Sequence, residues 1–155
     1  MESRKDLRAH IQELLEGKFA HIDLETVITS FPVGKINERI ENFPHTAWQL
    51  LEHIRIAQWD ILQFSRDANH ISPEFPDGYW NLKEGKPDDW HRSVAEVLEN
   101  LQAMRDLVAD ENNDLFEKFS HGSGQTLLRE ALLVADHNAY HLGQLVMLKK
   151  IFDAE

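Results

Sequence analysis

The chain contains no cysteine. That removes a disulfide framework, a thiolate metal site and a protein thiol nucleophile together, so any metal has to rest on His, Asp or Glu. Cationic side chains are scarce as well: 16 Lys and Arg stand against 27 Asp and Glu, the formal charge is −11, and the basic residues do not cluster. Such a surface repels a phosphate backbone, which argues against nucleic acid as a partner. No apolar run approaches the roughly eighteen residues that mark a membrane span, and the N-terminal residues lead into an amphipathic segment rather than an apolar leader. A soluble, cytoplasmic protein is expected, with no membrane partner. Strand-like alternation, internal repeats and low-complexity tracts are also missing, so the pattern reads as all-α. A length of 155 residues fits one domain, 1–155, with a core that needs no staples.

What is present has helical period. Ser3 with Asp6 makes a capping-box-like start, after which Leu7, Ile11, Leu14 and Leu15 recur until Gly17. A short helical segment follows from Asp23 to Ser30, and Pro32 to Phe43 reads as a connector. Pro44 is placed as a first helical residue for a helix running from His45 to about Asp67. Between Ala68 and Pro87 the chain carries Pro73, Pro76, Gly78 and Gly85, which predict a long loop. Its Tyr79 and Trp80 either plug the end of a bundle or line a pocket mouth. Asp88 or Asp89 is the expected cap of a third long helix with an apolar stripe from Trp90 to Val108, and a last one runs from about Thr126 to Ile151. Four long helices make a four-helix bundle the simplest architecture.

The last helix carries His137 and His141, one turn apart on one face, a spacing that can grip one metal ion. Nine histidines in a shuffled chain of this length would give roughly half such a pair, so the spacing alone decides little. On a helical wheel, however, both imidazoles lie within the apolar stripe, among Leu133, Val134 and Leu145, and His53 lies likewise between Leu50, Ile54 and Ala57 of the second long helix. A single core-facing histidine is ordinarily a hydrogen-bonded core residue. Three of them aimed at one interior each carry a desolvation penalty, and a divalent ion removes it while leaving a coordination position open. If these two helices run antiparallel, Gln49 lies level with His141, so that Gln49 and Gln144 are candidate pocket residues. Asp60 and Glu130 then fall about 10 Å below the ion, too far to ligate it, and read as a partly buried polar network. His45 is a further possible pocket residue; His10, His21, His70, His91 and His121 read as surface or capping residues.

Trp48-Gln49-Leu50-Leu51-Glu52-His53-Ile54 and His137-Asn138-Ala139-Tyr140-His141-Leu142-Gly143-Gln144-Leu145 together resemble the DinB/YfiT-like superfamily of metal-dependent bundles, over nearly the whole chain. The resemblance implies an up-down-down-up four-helix bundle, a divalent ion, usually nickel or zinc, held by three histidines, and frequent homodimers. Carried over residue by residue, the ligands are His53, His137 and His141. It also implies a small-molecule substrate: members with known activity use low-molecular-weight thiols such as bacillithiol, mycothiol or glutathione in transfer or isomerisation, and related members are hydrolases. The sequence adds its own hint of association, since the face of the second long helix opposite His53 bears Trp48, Leu51, Trp59 and Leu62. That face is covered either by the first helix and the long loop or by a second copy.

Two functional readings remain open. In one, an enzyme uses the ion as a Lewis acid on a water or a thiol, and any thiol is a cosubstrate because the chain has none. Glu52 and Asp136 each point about 100° from the neighbouring ligand, which makes them poor general bases. In the other, a non-catalytic bundle binds a metal or a small ligand, or the ion clips two helices together. Three visible ligands rather than four favour an open site.

Overall fold

The computed structural model describes residues 2–154. Its helices are α1 (Glu2–Glu16), α2 (Leu24–Thr29), α3 (Ala47–Arg66), α4 (Pro87–Ala109) and α5 (Leu127–Asp153), with short 3₁₀ turns at Val33–Lys35 and Asp77–Tyr79. Among the described residues there is no strand, only one isolated bridge between Lys118 and Thr126. The chain is therefore all-helical, as its periodicity requires.

Three helix starts differ from expectation, and at α3 and α4 the reason is local chemistry. Ser3 lies inside α1 rather than capping it. Pro44 lies outside α3, whose N-cap is Thr46: the Thr46 hydroxyl accepts the Gln49 N–H at 3.2 Å and the Gln49 side chain accepts the Thr46 N–H at 3.1 Å. This reciprocal box satisfies two orphan donors at once, which Pro44 could not do. At α4 the cap is Lys86 and Pro87 occupies the first helical position; Asp89 sits in the first turn and accepts the Lys86 N–H at 2.9 Å. Asp23, by contrast, caps α2 through the Thr26 N–H.

Packing divides the interior into two apolar clusters. One gathers Leu50, Leu51, Ile54, Trp90, Val97, Leu145 and Leu148; the other gathers Ile11, Leu15, Leu62, Met104, Val108, Ala131 and Val134. Each fully buried Leu or Ile contributes about 1.5–3 kcal/mol. A polar layer lies between the clusters: Asn138 Nδ2 donates to Gln58 Oε1 at 2.7 Å, and Gln58 Nε2 donates to the Val97 carbonyl at 2.6 Å. Helix α3 packs against both α4 and α5, and α1 packs against the same two. Arg8 of α1 spans to the end of α4, donating to the carbonyls of Val108, Asp110 and Asn113.

The apolar outer face of α3 is covered within the chain. Trp48, Leu51 and Leu62 are all buried, and only Trp59, at 37% exposure, reaches solvent. Gly85 makes the cover over Trp48 possible, since a Cβ there would stand 2.4 Å from the indole ring. Asn37 holds Gly85 on both sides, donating to its carbonyl at 2.8 Å and accepting its N–H at 3.1 Å. The Trp48 indole N–H donates to the Lys83 carbonyl at 2.8 Å, so the end of the long loop is pinned to the start of α3.

Candidate metal centre

His53 lies in the second turn of α3, and His137 and His141 project from the facing side of α5. Their candidate ligand atoms all lie within 4.8 Å of one another. The Nε2 atoms of His53 and His137 are 3.0 Å apart. Two nitrogens bound tetrahedrally at 2.0–2.1 Å stand about 3.3 Å apart, so the His53–His137 pair has about the spacing of two ligands on one divalent ion.

The protein also fixes which nitrogen faces inward. His53 Nδ1 donates to the Tyr79 carbonyl at 2.9 Å, and His141 Nδ1 donates to Gln144 Oε1 at 2.7 Å. Both acceptors lack a proton, so the hydrogen sits on Nδ1 and the Nε2 lone pairs are left for a ligand. Burial is the first cause of the lowered basicity of all three rings. It pushes His137 down to about 3, assisted by the neighbouring charges of His141 and His53. Burial likewise lowers His53 and His141, against the opposing hydrogen bonds from Tyr79 and Gln144. Neutral imidazoles at neutral pH are what a metal needs.

The long loop completes one wall. Trp80 stacks on His53 with ring centroids 3.9 Å apart and planes 2° from parallel, and on His45 at 4.1 Å and 18°. Its indole thus holds the His53 ring from one face. Tyr79 is held as well: its hydroxyl donates to Asp60 Oδ2 at 2.6 Å, and His70 Nε2 bonds Asp60 Oδ1 at 2.7 Å. Asp60 of α3 is therefore a latch for the loop that carries the His53 acceptor. His70 consequently departs from the surface role expected for it. Asp60 and Glu130 do not share a network either, since Glu130 pairs with Arg129 at 2.5 Å. No periodicity marks His70, which bonds across an irregular segment; Asp60 was visible only as a polar residue on the His53 face.

Gln49 is engaged in the α3 capping box, whereas Gln144, His45, Tyr79 and Trp80 touch the histidine rings or their partners. Glu52 faces away, buried against α4, where Arg55, Ser93 and Asn81 all donate to it. An open recess of about 470 Å³ adjoins the three histidines, with Tyr79, Asp136 and Tyr140 among its walls. Asp136, expected to be a poor general base because it points away from His137, lines this recess.

These features define an all-helical protein with an open three-histidine group that could hold a metal ion. The family model describing the DinB superfamily matches residues 2–145, and the chain belongs to that superfamily. Comparison with curated proteins and with solved structures gave no significant match. No described helix is long and apolar enough to cross a membrane.

Proposed function

We propose that this chain is a single-domain, divalent-metal-dependent enzyme whose ion is held by His53, His137 and His141. The observation carrying this reading is the convergence of three neutral imidazoles within 4.8 Å beside an open recess. An ion such as nickel or zinc would supply Lewis acidity, lowering the pKa of a water or of a low-molecular-weight thiol cosubstrate. The reaction class is then hydrolysis or thiol transfer. Around it, Gln144 and the Tyr79 carbonyl orient two ligand rings, and Trp80 shields one face of His53 from water. Glu52 is committed to Arg55, and Asp60 to Tyr79 and His70, so neither is free to act on a substrate.

The same reading takes the four long helices as an up-down-down-up bundle. Contacts supporting it rise together along α3 and α4, from Glu52 with Ser93 to Gln58 with Val97, and run oppositely along α1 and α4, from Arg8 with Val108 to Glu16 with Arg105. It also includes a cytoplasmic location and a homodimer, as the family resemblance implies. With α3 covered internally, the dimer interface falls on another face, and sedimentation of the purified chain tests it.

The experiment for the activity is a panel of hydrolysable esters and amides, and of thiols paired with electrophiles, presented to nickel- and zinc-loaded protein. Turnover that disappears in His141→Ala is expected. Failure of every pair with fully loaded protein would favour the alternative of a non-catalytic metal- or small-ligand-binding bundle.

A further inference from the structure

Resting on the proposed function of this site, we infer that its substrate is an apolar, aromatic-sized molecule that is uncharged or cationic along the part lying in the recess. The walls carry the inference. Ala57 and Ile61 of α3, Leu133 and Tyr140 of α5 and Phe75 of the loop make most of the surface. Phe75 and Tyr140 are 84% and 67% exposed, so both aromatic rings stand at the mouth with area to give to a ligand.

The charges point the same way. Among the described residues no Lys or Arg lines the recess; its formal charges are Asp60, whose oxygens are taken by Tyr79 and His70, and the exposed Asp136. A carboxylate or phosphate lying along these walls would lose water, find no cation and face Asp136. A cationic head would meet Asp136 and the faces of Tyr140 and Phe75 instead. The ion's own charge acts on the group that reaches the ion, which is a separate part of the substrate. Within the proposed reaction classes, a thiol recognised through its carboxylates therefore has no partner here. Hydrolysis or transfer on a neutral or cationic apolar substrate fits the walls.

Three probes with one aromatic ring and weakly ligating heads test this: benzyl alcohol, benzyltrimethylammonium and phenylmethanesulfonate. Binding of each to the full chain is followed by NMR titration, with the divalent ion loaded and after chelation. The alcohol and the ammonium are expected to bind at the recess, and the sulfonate at least tenfold more weakly, in both states. Tyr140→Arg, at an exposed position, should tighten the sulfonate and weaken the ammonium by about tenfold each; Asp136→Lys is a second variant with the same expected direction. A sulfonate that binds wild-type protein as tightly as the other two, or recess resonances that none of the probes shifts, would overturn the inference. Metal content of the same samples reads the metal proposal independently: an ion-free protein showing the expected order would sink that proposal and leave the selectivity standing.

Discussion

Replacing Asp60 by Ala removes the latch between α3 and the long loop, and its consequences divide into two measurable parts. The carboxylate accepts the Tyr79 hydroxyl at 2.6 Å and meets His70 Nε2 at 2.7 Å, and Asp60 itself is only 8% exposed. Hydrogen bonds to a charged acceptor contribute about 1.5–3 kcal/mol each, and both donors here keep some access to water, so the loss in metal-free stability should be about 2–4 kcal/mol. The second part acts at a distance. Tyr79 carries the carbonyl that orients His53, and loosening an outer partner of a metal-ligating histidine typically weakens metal affinity about 10–100-fold. Urea denaturation in chelator measures the first part, and competition titration with zinc or nickel measures the second. Tyr79→Phe breaks one arm of the latch and should lose about 1–2 kcal/mol. Because both changes strike one hydrogen bond, the double variant should lose less than the sum. An Asp60→Ala protein that binds the ion within twofold of wild type would refute the coupling between latch and ligand.

Three further outcomes are expected. His137 has its folded pKa depressed to about 3, whereas an unfolded chain takes the proton near 6.5. Its contribution to metal-free stability is thus complete above pH 6.5 and declines as pH falls through the window down to about 3. About 2 kcal/mol should be lost between pH 6.5 and 5 through this group. Denaturation midpoints across that range, with a flatter slope in His137→Gln, check it. Burial would raise Glu52, but donors from Arg55, Ser93 and Asn81 outweigh it and hold the carboxyl below its usual range. Glu52→Ala leaves the Arg55 guanidinium with Glu96 alone and takes the acceptor from the buried Ser93 hydroxyl, and should destabilise by about 2–4 kcal/mol with thermal unfolding as the readout. Gly85→Ala drives a methyl group into the Trp48 ring and should lower stability by about 1–3 kcal/mol while broadening the indole signal of Trp48.

The helices and the three histidines were legible in the sequence because both depend on period. His53, His137 and His141 each fall inside an apolar stripe, and a stripe has only one direction in which to face. Two caps were misplaced although their signals were present: Thr46 and Gln49 have capping-box spacing, and Pro87 stands where a first-turn proline belongs. The wall of the site was less accessible. Trp80 on His53, His70 on Asp60 and Asn37 around Gly85 are contacts made by irregular backbone, whose path follows from tertiary packing rather than from any repeat. Gln49 shows the converse, since its depth beside His141 suggested a pocket role and its side chain is engaged at the helix cap.

The most direct measurement is elemental analysis of untagged protein purified under metal-replete conditions. About one divalent ion per chain is expected in the wild type, falling to none in His137→Ala at unchanged fold by circular dichroism. A wild-type chain that emerges without a divalent ion would contradict the metal centre at its root.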